Sequence, residues 1–301
     1  MTEPTSFRVR RATADDSRRA FDVFLPSAQD LTSRLNVPWD VEAESLWERM
    51  RYLWDHLAEH HAEWWIAEDS TTTEPIGYAR SIERGGLLEL SEFFVHPDRQ
   101  AAGVGAALLE RAFPAGRGEV RAIIATTDTR AQARYYRAGT VARFPIVSLE
   151  GEPHDIDLDA ADLEIQQLGP DDDIEALRRI EAAVLEYDRG DEFRWLLGHR
   201  EGYVYRRRGE PIGFAFVGRA SGPIAALDPV DQEPILQHVE ARAAAIGVPL
   251  LSLEVPMPNE IAMRHLLGRG LRIDPFYTFF MSSRPFGQFD RSIGFSPPFF
   301  L

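Results

Sequence analysis

The fold is decided by residues 87–109, which read LLELSEFFVHPDRQAAGVGAALL. The apolar run ends at Val95, and two glycines, Gly103 and Gly105, precede a stretch rich in alanine and leucine. This order predicts a strand, a turn and the start of a helix. Glycines at such a junction let backbone amides approach a phosphate at the positive end of the helix. A dinucleotide fingerprint needs a third glycine where Leu108 stands, so the sequence excludes that interpretation.

The same order of elements occurs twice in the chain. Residues 74–79 (EPIGYA) recur as residues 210–215 (EPIGFA), and each copy lies between two alternating apolar runs. This pattern predicts a β-hairpin in each copy of an internal repeat. The fold class is therefore α/β (α+β), with two tandem domains that each contain a mixed, mostly antiparallel sheet with helices on both faces. We place the domains at residues 1–150 and 163–284, joined by an acidic linker at residues 151–162.

The C-terminal stretch, residues 285–301, is unusually aromatic. We expect it to pack on a domain or on a partner chain, because so many exposed rings are unfavourable in water. Its phenylalanines are Phe286, Phe289, Phe295, Phe299 and Phe300.

The amino-acid composition excludes several kinds of catalytic and binding site. The chain has 301 residues, with 33 basic and 48 acidic side chains, a formal net charge of −15 and no cysteine. It also has no lysine, so every basic residue is an arginine. Lysine Schiff bases, lysine-containing phosphate loops, thiol nucleophiles, disulfides and cysteine metal sites are therefore excluded. A reaction without a covalent enzyme intermediate fits these absences best.

Charge and hydropathy also limit the partners. The net negative charge argues against nucleic acid, which is bound through basic surfaces. No apolar run is long enough to cross a membrane, and the first 16 residues contain no signal-peptide core. We therefore expect a cytoplasmic, bacterial protein without a membrane partner.

Two motifs resemble the signatures of the Gcn5-related N-acetyltransferase (GNAT) family. The first, V-x-P-x-x-[QR]-x-x-G-x-[GA], is filled at every position, by Val95, Pro97, Gln100, Gly103 and Gly105. The second, roughly N-x-x-A-x-x-x-Y-x-x-x-G-F, is met by Asp128, Ala131, Tyr135 and Gly139. It departs from the family at Asp128, usually Asn, and at Thr140, usually Phe. The resemblance implies two tandem GNAT-like domains.

The resemblance also implies an activity. Family members move an acetyl or acyl group from acetyl-CoA to a primary amine, here of a small molecule or peptide, by direct attack on the thioester. It implies that acetyl-CoA is the co-substrate, that no metal is used, and that the protein is a monomer or homodimer. The positions that match cofactor-binding positions are Phe94, Val95, Gln100, Ala101, Ala102, Gly103, Val104, Gly105, Ala106, Asp128 and Ala131.

The catalytic candidates follow from the same resemblance. Tyr135 would protonate the departing CoA thiolate, and the Val95 N–H would donate to the oxyanion. Glu89 and Glu92 both stand where family members carry an acid that receives the amine proton. They point to opposite faces of an unbroken strand, but a bulge between them would change that.

The second copy is expected to be degenerate. The stretch Val230–Pro234, where the phosphates would lie, has no glycine and contains two acids, and Pro234 lacks an amide donor. Leu266 stands in the position of Tyr135. We therefore predict that only the first copy is active.

Three alternatives remain at this point. A non-catalytic acyl-CoA-binding sensor or scaffold is the main rival, because Asp128 and Thr140 depart from the family pattern. Residues 56–60 (HLAEH) match an inverted zinc-protease motif, although a solvated or pocket-lining helix is the favoured interpretation. Five of the six tryptophans lie between Trp39 and Trp65, either as core packing or as walls of an acceptor pocket.

Overall fold

The computed structural model describes residues 6–37, 39–100, 103–156, 158 and 162–294. The chain forms two compact units. Unit 1 comprises Met1–Ala142 and Met281–Arg284, and unit 2 comprises Arg143–Phe280 and Pro285–Leu301.

Unit 1 consists mainly of strands and α-helices of the first copy. In chain order they are β1 (Phe7–Arg11), α1 (Ser17–Arg34), α2 (Ala43–His60), β2 (Glu63–Asp69), β3 (Pro75–Arg84), β4 (Leu87–Val95), α3 (Val104–Ala112), β5 (Val120–Thr126) and α4 (Thr129–Arg137). Strands β1 to β4 pair antiparallel in sequence order, and β5 pairs parallel with β4. Two helix starts have local causes: Asp16 accepts from the Thr13 amide at 2.9 Å before α1, and the Glu42 side chain caps α2.

Helices cover both faces of the unit 1 sheet. On one face, the rings of Phe21 and Phe24 in α1 each lie 5.9 Å from the Trp54 ring of α2. On the other face, α3 approaches so closely that a Cβ at Gly77 would lie 3.1 Å from Leu108 and 3.2 Å from Val104. Because apolar side chains of both helix layers pack on the sheet, its central strands β3 and β4 are largely buried.

Unit 2 repeats this pattern, with shorter helices before its hairpin. Its elements are β6 (Val141–Gly151), β7 (Leu163–Leu168), α5 (Glu175–Leu185), α6 (Glu192–Leu197), β8 (Glu201–Arg207), β9 (Glu210–Val217), β10 (Ile224–Ala226), α7 (Gln232–Ala245), β11 (Leu251–Pro256), α8 (Glu260–Gly268), β12 (Arg272–Ser282) and β13 (Ser292–Ile293). The first two residues of β6 and the last two of β12 belong to unit 1. One sheet has the order β13-β10-β9-β8-β7, and β6 pairs antiparallel with β11. The predicted fold class of two tandem α/β domains is confirmed.

The units and the sequence repeat differ at the last strand of each copy. Strand β6 belongs to the first copy, yet from Arg143 onward it lies in unit 2. Strand β12 belongs to the second copy, yet Met281–Arg284 lie in unit 1, where the Ser283 amide donates to the Arg121 carbonyl at 2.8 Å. Each unit therefore contains part of the other copy's last strand, and unit 1 runs to Ala142 before the chain enters unit 2.

Candidate active site

Strands β4 and β5 diverge halfway along their length. Their parallel pairing begins at Leu87 and ends with Leu90 opposite Ile123, whereas β4 continues to Val95. A gap therefore opens beside the second half of β4. Because strand edges offer unpaired amides and carbonyls, such a gap suits an extended ligand that carries amide groups.

The backbone of β4 presents hydrogen-bonding groups to this gap. The His96 amide donates to the Ile76 carbonyl at 2.9 Å, and hydrogen-bonded positions alternate along an antiparallel pair. The N–H and C=O groups of Phe93 and Val95 consequently point away from β3, toward the gap. The Gln100 side chain reaches one of them, with its Nε2 3.4 Å from the Val95 carbonyl.

A register shift in β4 brings the two candidate acids to one face of the sheet. Glu89 lies opposite Ile82 and Glu92 lies opposite Arg80, with the shift between these pairs. Residues directly opposite each other on paired strands share a face, so Glu89 and Glu92 both face the side of α1 and α2.

Two glycines lie at the start of α3. Gly103, the residue before the helix, has φ +85°, which favours glycine. A Cβ at Gly105 would lie 3.1 Å from the Phe93 ring and 3.6 Å from Val95, so this turn of helix lies directly against β4. The amides of the α3 N-terminus are therefore brought beside the gap. Ala101 and Ala102, also predicted to bind the cofactor, lie outside the described residues.

Two arginines near the gap differ in how well they could contact an anionic ligand. Arg134 of α4 places its Nε 3.8 Å from the Cβ position of Gly105, beside the α3 N-terminus. Arg99 instead pairs with Asp69 at 3.2 Å. Arg134 is thus the better-placed side chain to contact an anionic group held there.

Tyr135 lies on the side of the gap opposite the acids. Its ring is 6.1 Å from that of Phe93 and only 7% exposed. Burial raises its pKa, the negative charge of Asp128 raises it further, and the nearby Arg134 opposes the shift. The phenol is therefore a protonated donor at neutral pH. Its neighbour Tyr136 is 50% exposed and does not share this environment.

The two departures from the family signature have structural roles. Asp128 caps α4 by accepting from the Arg130 amide at 2.9 Å, and it also pairs with Arg34 of α1 at 3.2 Å. Thr140, fully buried, donates its hydroxyl to the Tyr135 carbonyl at 2.9 Å. Both residues hold the helix that carries Tyr135, so the departures are compatible with a working site.

Replacing Asp128 with asparagine tests the contribution of its negative charge to stability, because asparagine can still cap α4. Burial opposes ionisation of Asp128, but hydrogen bonds from Arg130 and Arg34 outweigh it and hold the pKa at about 2, below the ordinary 3.8. The resulting stabilisation is complete above pH 3.8 and is lost as the pH falls through 2. We expect Asp128→Asn to lower the free energy of unfolding by about 1 kcal/mol at pH 6 and by less at pH 3, measured by urea unfolding. An equal loss at both pH values would contradict the role of charge.

Glu92 is buried in a network of its own. It accepts from the Tyr78 hydroxyl at 3.2 Å and forms an ion pair with Arg80. The Arg80 guanidinium is fully buried and lies 5.1 Å from the Trp54 ring and 4.6 Å from the Trp64 ring. Burial raises the pKa of Glu92, and Arg80 opposes this shift. The carboxylate is therefore already engaged before any substrate arrives.

Sequence reasoning missed the Arg80 pair, although a signal was present. Residues 76–82 (IGYARSI) place an arginine in the middle of an apolar strand. A buried arginine needs an acidic partner, and Glu92 on the adjacent strand supplies it. Glu89 is likewise buried, with 3% of its surface exposed.

The histidine motif at residues 56–60 lies on α2. The rings of His56 and His60 stack with centroids 4.3 Å apart, so they share a face of the helix. Within the ranges that the structure describes, no group of three or more His, Cys, Asp or Glu side chains could hold a metal ion. The same part of the chain contains no helix with the length and apolar character needed to span a bilayer.

The corresponding gap in unit 2 is filled by the chain itself. Strand β13 pairs antiparallel with β10, with Ile293 opposite Ile224. On its other side the Gly294 amide donates to the Glu254 carbonyl of β11 at 2.7 Å. The segment that leads to β13 buries Phe286 and Phe289; Phe295, Phe299 and Phe300 lie outside the described residues.

Side chains and the C-terminal segment also cover the start of α7 in unit 2. Gln232 donates to the Asp290 carbonyl at 2.7 Å and accepts from Asn259 at 2.6 Å. Asp231 is buried and pairs with Arg207. Acids and the C-terminal segment thus stand where unit 1 presents glycines and amides.

Isothermal titration of the full chain with acetyl-CoA is therefore expected to give one site per chain. The reason is that the unit 2 gap already holds β13. Binding of two acetyl-CoA molecules per chain would contradict the interpretation that β13 fills the ligand gap of unit 2.

Comparisons with known proteins agree with this geometry. Residues 28–140 match the acetyltransferase (GNAT) family. A protein from Pyrococcus horikoshii named as an acetyltransferase candidate shares 15% identity, with a TM-score of 0.72 over 97% of this chain and 94% of that one. A GCN5-related N-acetyltransferase from Sphaerobacter thermophilus shares 15% identity, with a TM-score of 0.62 over 93% and 96% of the two chains.

A tandem arrangement is also known among solved structures. A tandem GNAT protein from the clavulanic acid biosynthesis pathway shares 12% identity, with a TM-score of 0.55 over 93% of this chain and 99% of that chain. No curated protein gives a significant sequence match. At these identities the likeness shows the fold alone, and the predicted resemblance to tandem GNAT proteins is confirmed at that level.

Proposed function

We propose that this tandem GNAT-fold protein is an N-acyltransferase whose unit 1 binds acetyl-CoA and passes the acetyl group to a primary amine of a small molecule or peptide. The observation that carries the proposal is the gap beside β4, into which the amides of Phe93 and Val95 point. The pantetheine arm of CoA is extended and contains two amides, so it matches this edge. The α3 N-terminus, with Gly103 to Ala106, would receive the pyrophosphate.

The chain supplies groups for each proton and charge in the transfer. As the amine nitrogen attacks the thioester carbon, the Val95 N–H donates to the developing oxyanion. The C–S bond then breaks, and Tyr135 donates its proton to the departing thiolate. The amine loses a proton toward the face that carries Glu89 and Glu92. Because the Glu92 carboxylate is engaged by Arg80, proton transfer to it requires that this pair rearranges when the acceptor binds.

An assay of CoA release tests the proposal. The protein contains no cysteine, so a thiol reagent reports only the CoA set free during turnover. We expect thiol release with acetyl-CoA and at least one primary amine from a mixed panel. Binding of acetyl-CoA without turnover of any amine would instead favour the sensor or scaffold alternative, and no binding at millimolar concentration would exclude both.

A further inference from the structure

The acceptor must reach the gap from the side that α3 and α4 leave open. Those helices and Tyr135 lie on the face of Val95, as the close approach of α3 to Gly77 and of Gly105 to Val95 shows. The other face carries Glu92 and the Phe94 ring, which α1 approaches through Phe24 with ring centroids 5.0 Å apart. The wall beside the path of the acceptor amine is therefore formed by α1 and by Trp39.

This wall carries a row of aromatic rings. From Phe94 it continues to Phe24, and the Phe24 ring lies 6.2 Å from Trp39 and 5.9 Å from Trp54. Trp54 is fully buried, but Phe94 and Trp39 are only half-buried. Their rings thus form the accessible rim of a packed cluster, and ring faces attract apolar bodies and single cations.

Two of the acids near this wall are paired with arginines. Glu92 pairs with Arg80, and Asp128 pairs with Arg34 and Arg130. A polyamine or an amino sugar with several ammonium groups would need several carboxylates that are not so engaged. The arrangement matches a ligand with one ammonium group better.

The internal repeat gives independent support. In unit 1 the helices before the hairpin, α1 and α2, have 18 residues each, whereas α5 and α6 of unit 2 have 11 and 6. Five of the six tryptophans fall between Trp39 and Trp65. The enlarged aromatic region is therefore specific to the copy whose gap is open.

From these observations we infer that the acceptor is a primary monoamine with an aromatic or extended apolar body, which packs against Trp39 and Phe94. The inference rests on the proposed function, because it assumes that the thioester lies in the unit 1 gap. It narrows the acceptor from any primary amine to arylalkyl and alkyl monoamines.

The test compares phenethylamine and hexylamine with spermidine and glucosamine as acceptors for acetyl-CoA. We expect kcat/KM to be at least about tenfold higher for the two monoamines, since burial of their apolar bodies contributes only to their binding. Spermidine or glucosamine as the better substrate would overturn the inference.

A matched pair of variants tests whether Trp39 itself contacts the amine. Trp39→Leu is expected to raise KM for phenethylamine about tenfold with little change in kcat, and to leave acetyl-CoA affinity unchanged. Trp47→Leu is the control, because the Trp47 ring is 5.1 Å from Phe21 and is covered by Arg18. Equal effects of the two variants would contradict a specific role for Trp39.

Calorimetry separates this inference from the proposed function. Phenethylamine is titrated into the protein saturated with CoA, which requires no turnover. Amine binding that Trp39→Leu weakens supports the aromatic site even if acetylation fails, in which case only the proposed activity is wrong. Absence of amine binding in a protein that acetylates spermidine would overturn the aromatic site and leave the activity standing.

Discussion

A Gly105→Glu variant is expected to lose acyl-CoA binding. A side chain there would be tight, because a Cβ would lie 3.1 Å from the Phe93 ring, and the longer glutamate would reach further into the gap. The new carboxylate would also stand at the α3 N-terminus, where it would repel a pyrophosphate. We expect the dissociation constant for acetyl-CoA to rise by at least about 100-fold, which corresponds to about 2.8 kcal/mol. Calorimetric titration measures the change.

The control introduces the same charge at the start of the corresponding helix in unit 2. Val230 is 66% exposed, so Val230→Glu adds a carboxylate without disturbing the core. Its acetyl-CoA affinity is expected to equal that of the unmodified protein. If Val230→Glu weakened binding and Gly105→Glu did not, the assignment of the site to unit 1 would be wrong.

A Tyr135→Phe variant is expected to bind acetyl-CoA normally and to turn over slowly. The ring contact with Phe93 is retained, because only the hydroxyl is removed. Without the phenol the thiolate leaves unprotonated, and loss of a general acid costs roughly 100-fold or more in rate. Steady-state kinetics should therefore show a fall in kcat of about 100-fold at an unchanged dissociation constant for acetyl-CoA.

Tyr136→Phe supplies the matched control for this experiment. Tyr136 follows directly in α4 but is half exposed, and its hydroxyl accepts only a long hydrogen bond, at 3.4 Å, from the Ala142 amide. Its kcat is expected to stay within about twofold of the original value. Full activity of Tyr135→Phe would remove Tyr135 from the mechanism.

Much of unit 1 could be predicted from local sequence. The run from Leu87 to Val95 forms β4 with those bounds, and the repeated EPIG motifs form hairpins in both copies. These elements are set by short-range patterns of apolar residues, proline and glycine. The glycines at Gly103 and Gly105 likewise fix the start of α3 before any tertiary contact is considered.

The rest depends on contacts between residues far apart in the chain. No local pattern distinguishes a strand that pairs within its own copy from one that pairs elsewhere, so the positions of β6 and β12 could not be predicted. The two-residue strand β13 is set by its neighbours β10 and β11 rather than by its own sequence. That Glu89 shares a face with Glu92 depends on a register shift in β4, which the sequence left as an alternative.

Because the chain has no lysine, positive charge at this site must come from arginine and from backbone amides. The proposed function requires a strongly acidic chain to hold a highly charged phosphate ligand, and arginine is its only permanent cation. Arg134 stands beside the α3 N-terminus, whereas Arg99 is paired with Asp69. Backbone amides and Arg134 together can supply the required positive potential without a basic surface.

The most direct test of the central claim is a crystal structure of the protein with acetyl-CoA. We expect the pantetheine arm in the gap of unit 1, with its amides bonded to Phe93 and Val95 and its thioester near Tyr135. We also expect β13 to remain between β10 and β11 in unit 2. Acetyl-CoA bound in unit 2 with β13 displaced, or bound away from β4 in unit 1, would contradict the account.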